Sequence, residues 1–332
     1  MDARPTPDRP SATLRVTFLD NIAPSLERRL RDSVPASWRI TMAAASGDVR
    51  AACREADVLL LIGASVNQDL VSNASCLRFI QKMGAGTDRI DLDACRRRRI
   101  GVARLAGGNA TPVAEHALLM MLAALRQLSY FDSATRAGRW SKEEGRGVQR
   151  QLTGKQVGLV GFGAIGQQVA RLLNGFATRT VFHDPAIQGS GPLPDLATPM
   201  PLDELLASSD VVSLHLPLMA ETRGFLTRGR IGLMKPGAVL VNCARGGLVD
   251  EEALAEALEQ GRIHGAGLDT FAAEPPIGSP LLASRRTVVT PHLAGATLDN
   301  FDRILAAGIA NIEAFFAGTA LPPGDLVLGV DP

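Results

Sequence analysis

The chain has 332 residues, 46% hydrophobic and 21% charged, with a formal net charge of +1. That length fits two domains, and the near-neutral balance lacks the basic stripe of a nucleic-acid binder. No apolar run approaches the ~18 residues needed to cross a bilayer.

The opening MDARPTPDRPSAT is polar and proline-rich, has no signal-peptide core, and reads as a disordered tail. Strands are expected at 14–19, 58–62, 79–83 and 100–105, with helical stretches between them. Arg96, Arg97, Arg98 and Arg99 read as a solvated helix end, since cations suit a helix C-terminus. A helix is expected next. Thr111 would cap it, Pro112 would take its first position, and Glu115 would favour its positive end. Residues 117–125 are apolar nearly all round, so this helix should be buried at a domain or subunit interface. The polar, glycine-punctuated stretch 136–155 is longer than most loops and reads as a functional arm or a partly mobile segment.

Further strands are expected at 156–160, 180–183, 211–216, 238–242, 266–268 and 287–290. Runs of Val and Leu on both faces, each followed by a helix, argue for parallel sheets covered on both sides. The fold class is therefore α/β, in two domains. Four cysteines, Cys53, Cys76, Cys95 and Cys243, form no C-x-x-C pair and have no histidine cluster beside them. Neither a metal site nor a disulfide framework is expected, and a reducing, cytoplasmic setting fits.

The chemistry begins at VGLVGFGAIGQQVA, where Gly161, Gly163 and Gly166 follow a strand and open a helix. The first glycine permits the tight turn, the second lets a pyrophosphate approach the backbone, and the third lets the helix pack closely. Free N–H groups and the helix dipole then hold the anion. Asp184 ends the next strand, 18 residues past Gly166, where a carboxylate accepts from an adenosine ribose and repels a 2′-phosphate. NAD rather than NADP is the expected cofactor.

Three more charged residues follow strands. Arg245, in NCARGGLVD, would hold a substrate carboxylate bidentately, with a structural ion pair as the plainer reading. Asp250 would cap the helix after it. Glu274, in LDTFAAEPP, and His292, in TPHLAGAT, would meet. The carboxylate would favour the charged imidazole and fix its tautomer, and the histidine would exchange a proton with the substrate oxygen as hydride moves. His116, His183, His215 and His264 read as packed residues, with His215 the only rival base.

Together these stretches resemble the D-isomer-specific 2-hydroxyacid dehydrogenase family over about residues 55–297. GFGAIG with Asp184 resembles its NAD loop, and LDELLASSDVVSLHLPLMAETRG and MKPGAVLVNCARGGLVDEEAL resemble its two signature segments. MGAGTDRIDLDA resembles the loop whose amides hold the substrate carboxylate, here Gly84, Ala85 and Gly86. NATPVAEHALLMMLA resembles the linker and dimer helix.

The resemblance implies two Rossmann-like or flavodoxin-like domains, the NAD-binding one (108–296) inserted into a substrate domain (1–107 with 297–332). The active site would lie in the cleft between them. It implies Arg245, Glu274 and His292 as the catalytic set. It also implies a cofactor site of Gly161, Gly163, Ala164, Ile165, Gly166, Asp184, Pro217, Thr222, Cys243, Ala244, Arg245, Asp269, His292 and Gly295. A homodimer acting on a small 2-hydroxy or 2-oxo acid follows, with no nucleic-acid or membrane partner.

His183 stands where the family often has Tyr, Cys243 where Thr or Ser is frequent, and Thr270 where Val is usual. The stretch IGASVNQ lacks the arginines of phosphoglycerate-using members. The apolar and small residues Ile62, Gly63 and Ala64 point to a small substrate, glyoxylate-, hydroxypyruvate- or pyruvate-like. The competing expectations are an NAD(H)-sensing binding protein of the same fold and a dehydrogenase for a non-carboxylate anion such as phosphite.

Overall fold

The computed structural model describes residues 13–187, 189 and 195–329. The polar opening read as a tail falls outside them, apart from its last residue. The chain divides into two compact units, Met1–Gly108 with Phe301–Pro332, and Asn109–Asn300.

In the first unit β1 (Leu14–Phe18), β2 (Trp38–Met42), β3 (Val58–Leu61), β4 (Phe79–Lys82) and β5 (Gly101–Ala103) join a late strand, Leu326–Leu328. The order is Leu326–Leu328, β5, β4, β3, β1, β2. Successive residues of a strand point to opposite faces. Accordingly Leu59 and Leu61 enter one core with Ile80 and Val102, while Val58 and Leu60 enter the other with Val16, Phe18 and Phe79. Helix Leu298–Phe316 seals the second face with Phe301, Ile304, Leu305 and Ile312, and Phe315 stacks on Phe79 at 4.1 Å. Each such side chain removed from water stabilises the fold by roughly 1.5–3 kcal/mol.

Two of these strands escape a reading by apolar runs. β2 is an edge strand with only Met42 buried, so it carries no continuous apolar stretch. Leu326–Leu328 is three residues long and pairs antiparallel with β5, which makes this sheet mixed rather than wholly parallel. The arginine run is only partly a solvated helix end. Helix Leu92–Arg97 stops there, but Arg98 turns inward and donates to Val71 O and to Ala74 O (3.1 Å for the latter). A guanidinium thus supplies a donor to carbonyls around the end of helix Gln68–Asn73, where Ala74 O also accepts from Leu77 N.

The second unit holds β6 (Gln156–Val160), β7 (Arg179–His183), β8 (Thr198–Pro199), β9 (Val211–Leu214), β10 (Val239–Asn242), β11 (Gly265–Leu268) and β12 (Thr287–Val289). All pair in parallel, in the order β12-β11-β10-β9-β6-β7-β8. Alternation again builds two cores, with Leu159, Val211, Val239 and Val241 on one face and Val160, Val212, Leu214 and Leu240 on the other. The chain runs from β6 to β7 on one side and returns to β9 on the other. That reversal is the switch point where open α/β sheets bind ligands, beyond their strand ends.

The long helix Ala110–Leu125 lies directly on β11. A Cβ on Gly267 would come 2.7 Å from Met120 Cβ, and one on Gly265 would come 3.0 Å from Ala124 O. The helix starts two residues earlier than its sequence signals suggest. Its N-cap is Asn109, no side chain caps it, and Thr111 and Pro112 sit inside the first turn. Segment 136–155 is not a long irregular loop, because helix Lys142–Val148 occupies its middle with Glu143 and Glu144 in the first turn. Acidic residues there favour the positive end of the dipole.

Candidate active site

The glycine loop is shaped by close approach. Gly161 has φ +96°, and a Cβ there would fall 2.6 Å from His215 O. A Cβ on Gly166 would fall 2.5 Å from Gly161 O, so a side chain at either position drives the loop from its neighbours. Gly163 faces open space, and helix Ala164–Leu173 begins beyond it with no side-chain cap. A ten-residue helix with uncapped N–H groups at an open glycine suits a diphosphate.

Asp184 is fastened to this loop. Its Oδ2 accepts from Phe162 N at 2.8 Å and its Oδ1 from Ala186 N at 3.0 Å. A carboxylate offers about four lone-pair sites, so acceptor capacity remains for ribose hydroxyls. Beside it a cavity of about 290 Å³ is lined by Phe182, His183, Ile187, Pro199, Met200 and Pro201 as well as Asp184. Its walls are part polar and part apolar, and the flat faces of Pro199 and Pro201 can border a purine ring. The sequence pointed to Asp184 alone here, because Pro199–Pro201 begin inside an edge strand of two residues with no apolar run to mark it. Thr222 closes its own turn, donating to Pro217 O at 2.7 Å and accepting from Met219 N at 2.8 Å.

At the end of β10, Asn242 organises the turn that presents Arg245. Its Oδ1 accepts from Ala244 N at 3.1 Å and its Nδ2 donates to Arg245 O at 2.9 Å. Arg245 Nη1 donates to Ala244 O at 2.7 Å. Cys243 is buried beneath the turn, and burial, reinforced by the Asp269 charge, pushes its thiol far above the ordinary range. It is therefore a neutral, apolar neighbour rather than a nucleophile.

Gly246 fixes the next contact. A Cβ there would lie 1.8 Å from Phe271 C, so the Arg245 turn abuts the backbone of the loop that carries Glu274. Glu251, in the first turn of helix Glu251–Glu259, ties the same loop down. It accepts from Ala272 N and from Ser279 Oγ, both at 2.7 Å. Asp250 caps that helix through Ala253 N at 2.9 Å. Asn242 and Glu251 are residues the sequence reading did not single out. Nothing in their spacing marks them, since each acts on backbone brought near by folding.

Glu274 and His292 are in contact. His292 Nδ1 lies 3.0 Å from Glu274 Oε1 and 3.1 Å from Oε2. A carboxylate only accepts, so Nδ1 carries the proton and Nε2 is left for other chemistry. His292 has φ +55°, an uncommon conformation for a residue with a Cβ, and its N–H donates to Asp269 O at 2.8 Å. Asp269 is fully buried at the end of β11. Gly295 accepts at its carbonyl from Asn300 Nδ2 at 3.1 Å.

His215 is a poor rival. Its Nε2 is buried without a hydrogen-bond partner, and burial pulls its pKa from 6.5 down to about 4. His116, His183 and His264 lie beside Thr290 Oγ1 (3.1 Å), Met200 O (3.4 Å) and Leu125 O (3.2 Å). Among the described residues no group of three or more His, Cys, Asp or Glu could hold a metal ion, and no helix is long and apolar enough to cross a membrane.

In the first unit Gly84, Ala85 and Gly86 follow β4, and Gly84 O accepts from Leu105 N at 3.1 Å. The neighbouring loop after β3 is more charged than its small residues suggest. Asp20 accepts from the N–H groups of Ile62, Gly63 and Ala64 at 2.6, 2.6 and 2.7 Å. Lys82 donates to Ile62 O, and Arg89 donates to Gly63 O at 3.1 Å.

Residues 118–294 match the family model described as D-isomer specific 2-hydroxyacid dehydrogenase, NAD binding domain. Over 312 residues the chain is 37% identical to a D-3-phosphoglycerate dehydrogenase of Mycobacterium tuberculosis, covering 92% of this chain and 58% of that relative. It thus spans little more than half of that protein's length. It is 38% identical over 267 residues to a hydroxypyruvate reductase of Thermotoga maritima, covering 79% of this chain and 84% of the other. A solved structure of an NAD-dependent formate dehydrogenase from Staphylococcus aureus in complex with NAD is 27% identical. It superposes with a TM-score of 0.86, covering 96% of this chain and 100% of that one.

Proposed function

Since the chain belongs to the D-isomer specific 2-hydroxyacid dehydrogenase family and carries its NAD-binding domain, we propose that it is an NAD-dependent oxidoreductase of small 2-hydroxy acids. In the reducing direction it turns a 2-oxo acid into the 2-hydroxy acid. The cofactor, when bound, would supply the hydride chemistry at substrate C2, as NADH in reduction and as NAD+ in oxidation. The uncapped start of helix Ala164–Leu173 takes the diphosphate, Asp184 takes the ribose hydroxyls, and the cavity beside it takes the adenine. Pro217, Thr222, Cys243, Ala244, Asp269 and Gly295 complete the cofactor surroundings in this reading.

His292 moves the proton. Its Nδ1 is committed to Glu274, so Nε2 donates to the carbonyl oxygen in reduction and accepts from the hydroxyl in oxidation. Glu274 stabilises the imidazolium that donates. Arg245 pairs with the substrate carboxylate as a two-pronged donor, and the amides of Gly84, Ala85 and Gly86 are assigned to the same group. The observation that carries the reading is the 3.0 Å contact between Glu274 and His292, on a loop held against the Arg245 turn.

Glyoxylate, hydroxypyruvate and pyruvate are the proposed substrates, and the likeness to a hydroxypyruvate reductase supports the middle one. The free cysteines suit a reducing cytoplasm. The chain is proposed to act as a homodimer, through exposed apolar side chains of the second unit such as Leu119, Leu128 and Trp140.

The test is NADH absorbance at ~340 nm with these 2-oxo acids, for the wild type and for Arg245→Ala. The expected result is turnover of at least one acid, with kcat/KM lower by about 10²-fold or more in the variant. Near-full activity of Arg245→Ala removes the carboxylate assignment. No turnover of any 2-oxo acid removes the function.

A further inference from the structure

Behind the turn that carries His292 lies a chain of three polar side chains outside the catalytic set. Asp269 Oδ1 accepts from the Thr290 hydroxyl at 2.5 Å and from Leu293 N at 2.8 Å, while Oδ2 accepts from Ala294 N at 2.9 Å. His116, in the second turn of helix Ala110–Leu125, places Nε2 3.1 Å from Thr290 Oγ1 and 3.6 Å from Asp269 Oδ1.

Proton positions follow from elementary rules. The carboxylate only accepts, so the Thr290 hydroxyl points its hydrogen at Asp269. The Thr290 oxygen then shows lone pairs to His116, and Nε2 must carry a proton and donate. The donor sequence runs from His116 to Thr290 to Asp269. It ends on the Asp269 carboxylate, into which the two amides that follow His292 also donate.

His264 offers a contrast within the same unit, since its Nε2 meets the backbone oxygen of Leu125 and leads no further. His116 instead feeds the residue that holds a strained turn. A left-handed conformation is disfavoured for a non-glycine residue and persists only when its surroundings enforce it. His292, at φ +55°, is enforced from Asp269 on three sides: Asp269 O takes the His292 N–H, and its carboxylate takes the N–H groups of Leu293 and Ala294.

We propose that His116 is a positioning residue for the hydride-transfer reaction. By donating through Thr290 it fixes the Asp269 carboxylate, and with it the turn that aims His292 at Glu274. The kinetic consequence rests on the function proposed above, whereas the structural consequence stands without it. Without the His116 donor, the Thr290 oxygen loses its partner on the helix side, and only the bond between Thr290 and Asp269 still sets that hydroxyl. Misplacing an acid/base by about 1 Å costs up to ~10²-fold in rate. The loss falls chiefly on kcat, because Asp269 is one cofactor neighbour among many and the glycine loop at Gly161–Gly166, with Asp184, belongs to other elements.

The experiment compares His116→Leu, which keeps bulk and removes the donor, with His116→Gln, which returns an N–H near the Nε2 position. Thr290→Val cuts the same chain from the strand side, and serves alone if His116→Leu does not fold. Three quantities are read: kcat on the best 2-oxo acid, the Kd of NADH by fluorescence, and the 15N shifts of the His292 ring, which need no turnover. His116→Leu should lower kcat by about 10-fold or more, with the NADH Kd within about 3-fold. His116→Gln should recover most of kcat. A double variant of His116→Leu with Thr290→Val should be no slower than the worse single one, because both cut one chain. The His292 ring signals should move in the Leu and Val variants and return in the Gln variant.

Unchanged kcat and ring signals in His116→Leu overturn the proposal, as do additive losses in the double variant or a Gln variant no better than Leu. If the wild type turns over no 2-oxo acid, the function fails by itself. The ring signals then decide the positioning role.

Discussion

His215 sits at the residue scale as a buried base with an orphaned nitrogen, and its environment makes a pH prediction. Desolvation holds its pKa near 4 in the folded chain against an ordinary 6.5. Burial lowers His264 in the same direction. The unfolded chain therefore binds more protons than the folded one between those two values. Stability is fully present above about pH 6.5 and is lost as the pH falls towards 4. For His215 alone the loss between about pH 7.5 and pH 5 is up to about 2 kcal/mol. Urea denaturation of the second unit at both pH values measures it. His215→Asn should flatten the dependence, and an equal slope in that variant would assign the effect elsewhere. None of this is visible in LHLP as a string, where the same histidine reads as a possible base. What decides against it is enclosure, a property of everything packed around the end of β9.

At the scale of elements, β11 and helix Ala110–Leu125 show how a strand glycine serves packing rather than turning. Gly267 has no positive φ, yet a Cβ there would meet Met120 Cβ at 2.7 Å and Met120 O at 3.1 Å. Gly267→Ala should destabilise the second unit by roughly 1–3 kcal/mol, because the helix must back away from the sheet. Gly147, inside helix Lys142–Val148 with nothing within 4 Å of its missing Cβ, provides the opposite case. Gly147→Ala should stabilise by about 0.4–1 kcal/mol through the unfolded chain. Thermal unfolding of both variants checks the pair, and a destabilised Gly147→Ala would contradict the packing described for that helix. The same scale explains which elements were legible in advance. β3, β6, β9 and β10 are buried at every or nearly every position and announce themselves as apolar runs. β2, β8 and Leu326–Leu328 are edge strands, short or half exposed, so their pairing comes from neighbours rather than from their own residues.

For the whole molecule, the exposed Leu119, Leu128 and Trp140 form the basis of the proposed dimer, Trp140 being 82% exposed. Light scattering should return twice the 35.1 kDa chain mass. Leu119→Asp with Trp140→Asp should move it towards the single-chain mass, and a wild-type monomer would end the proposal. At this scale the division between sequence and structure is clear. The amino-acid order alone determined the strand–helix alternation, the glycine turn with Asp184 after it, and the three charged residues placed just past strand ends. These are local signals, set by periodicity, turn chemistry and spacing. Folding alone decided that Arg98 caps another helix, that Glu251 anchors the Glu274 loop, and that His116 meets Thr290 across 174 residues. Such contacts depend on direction and enclosure, which a polypeptide acquires only when its sheets close over their cores.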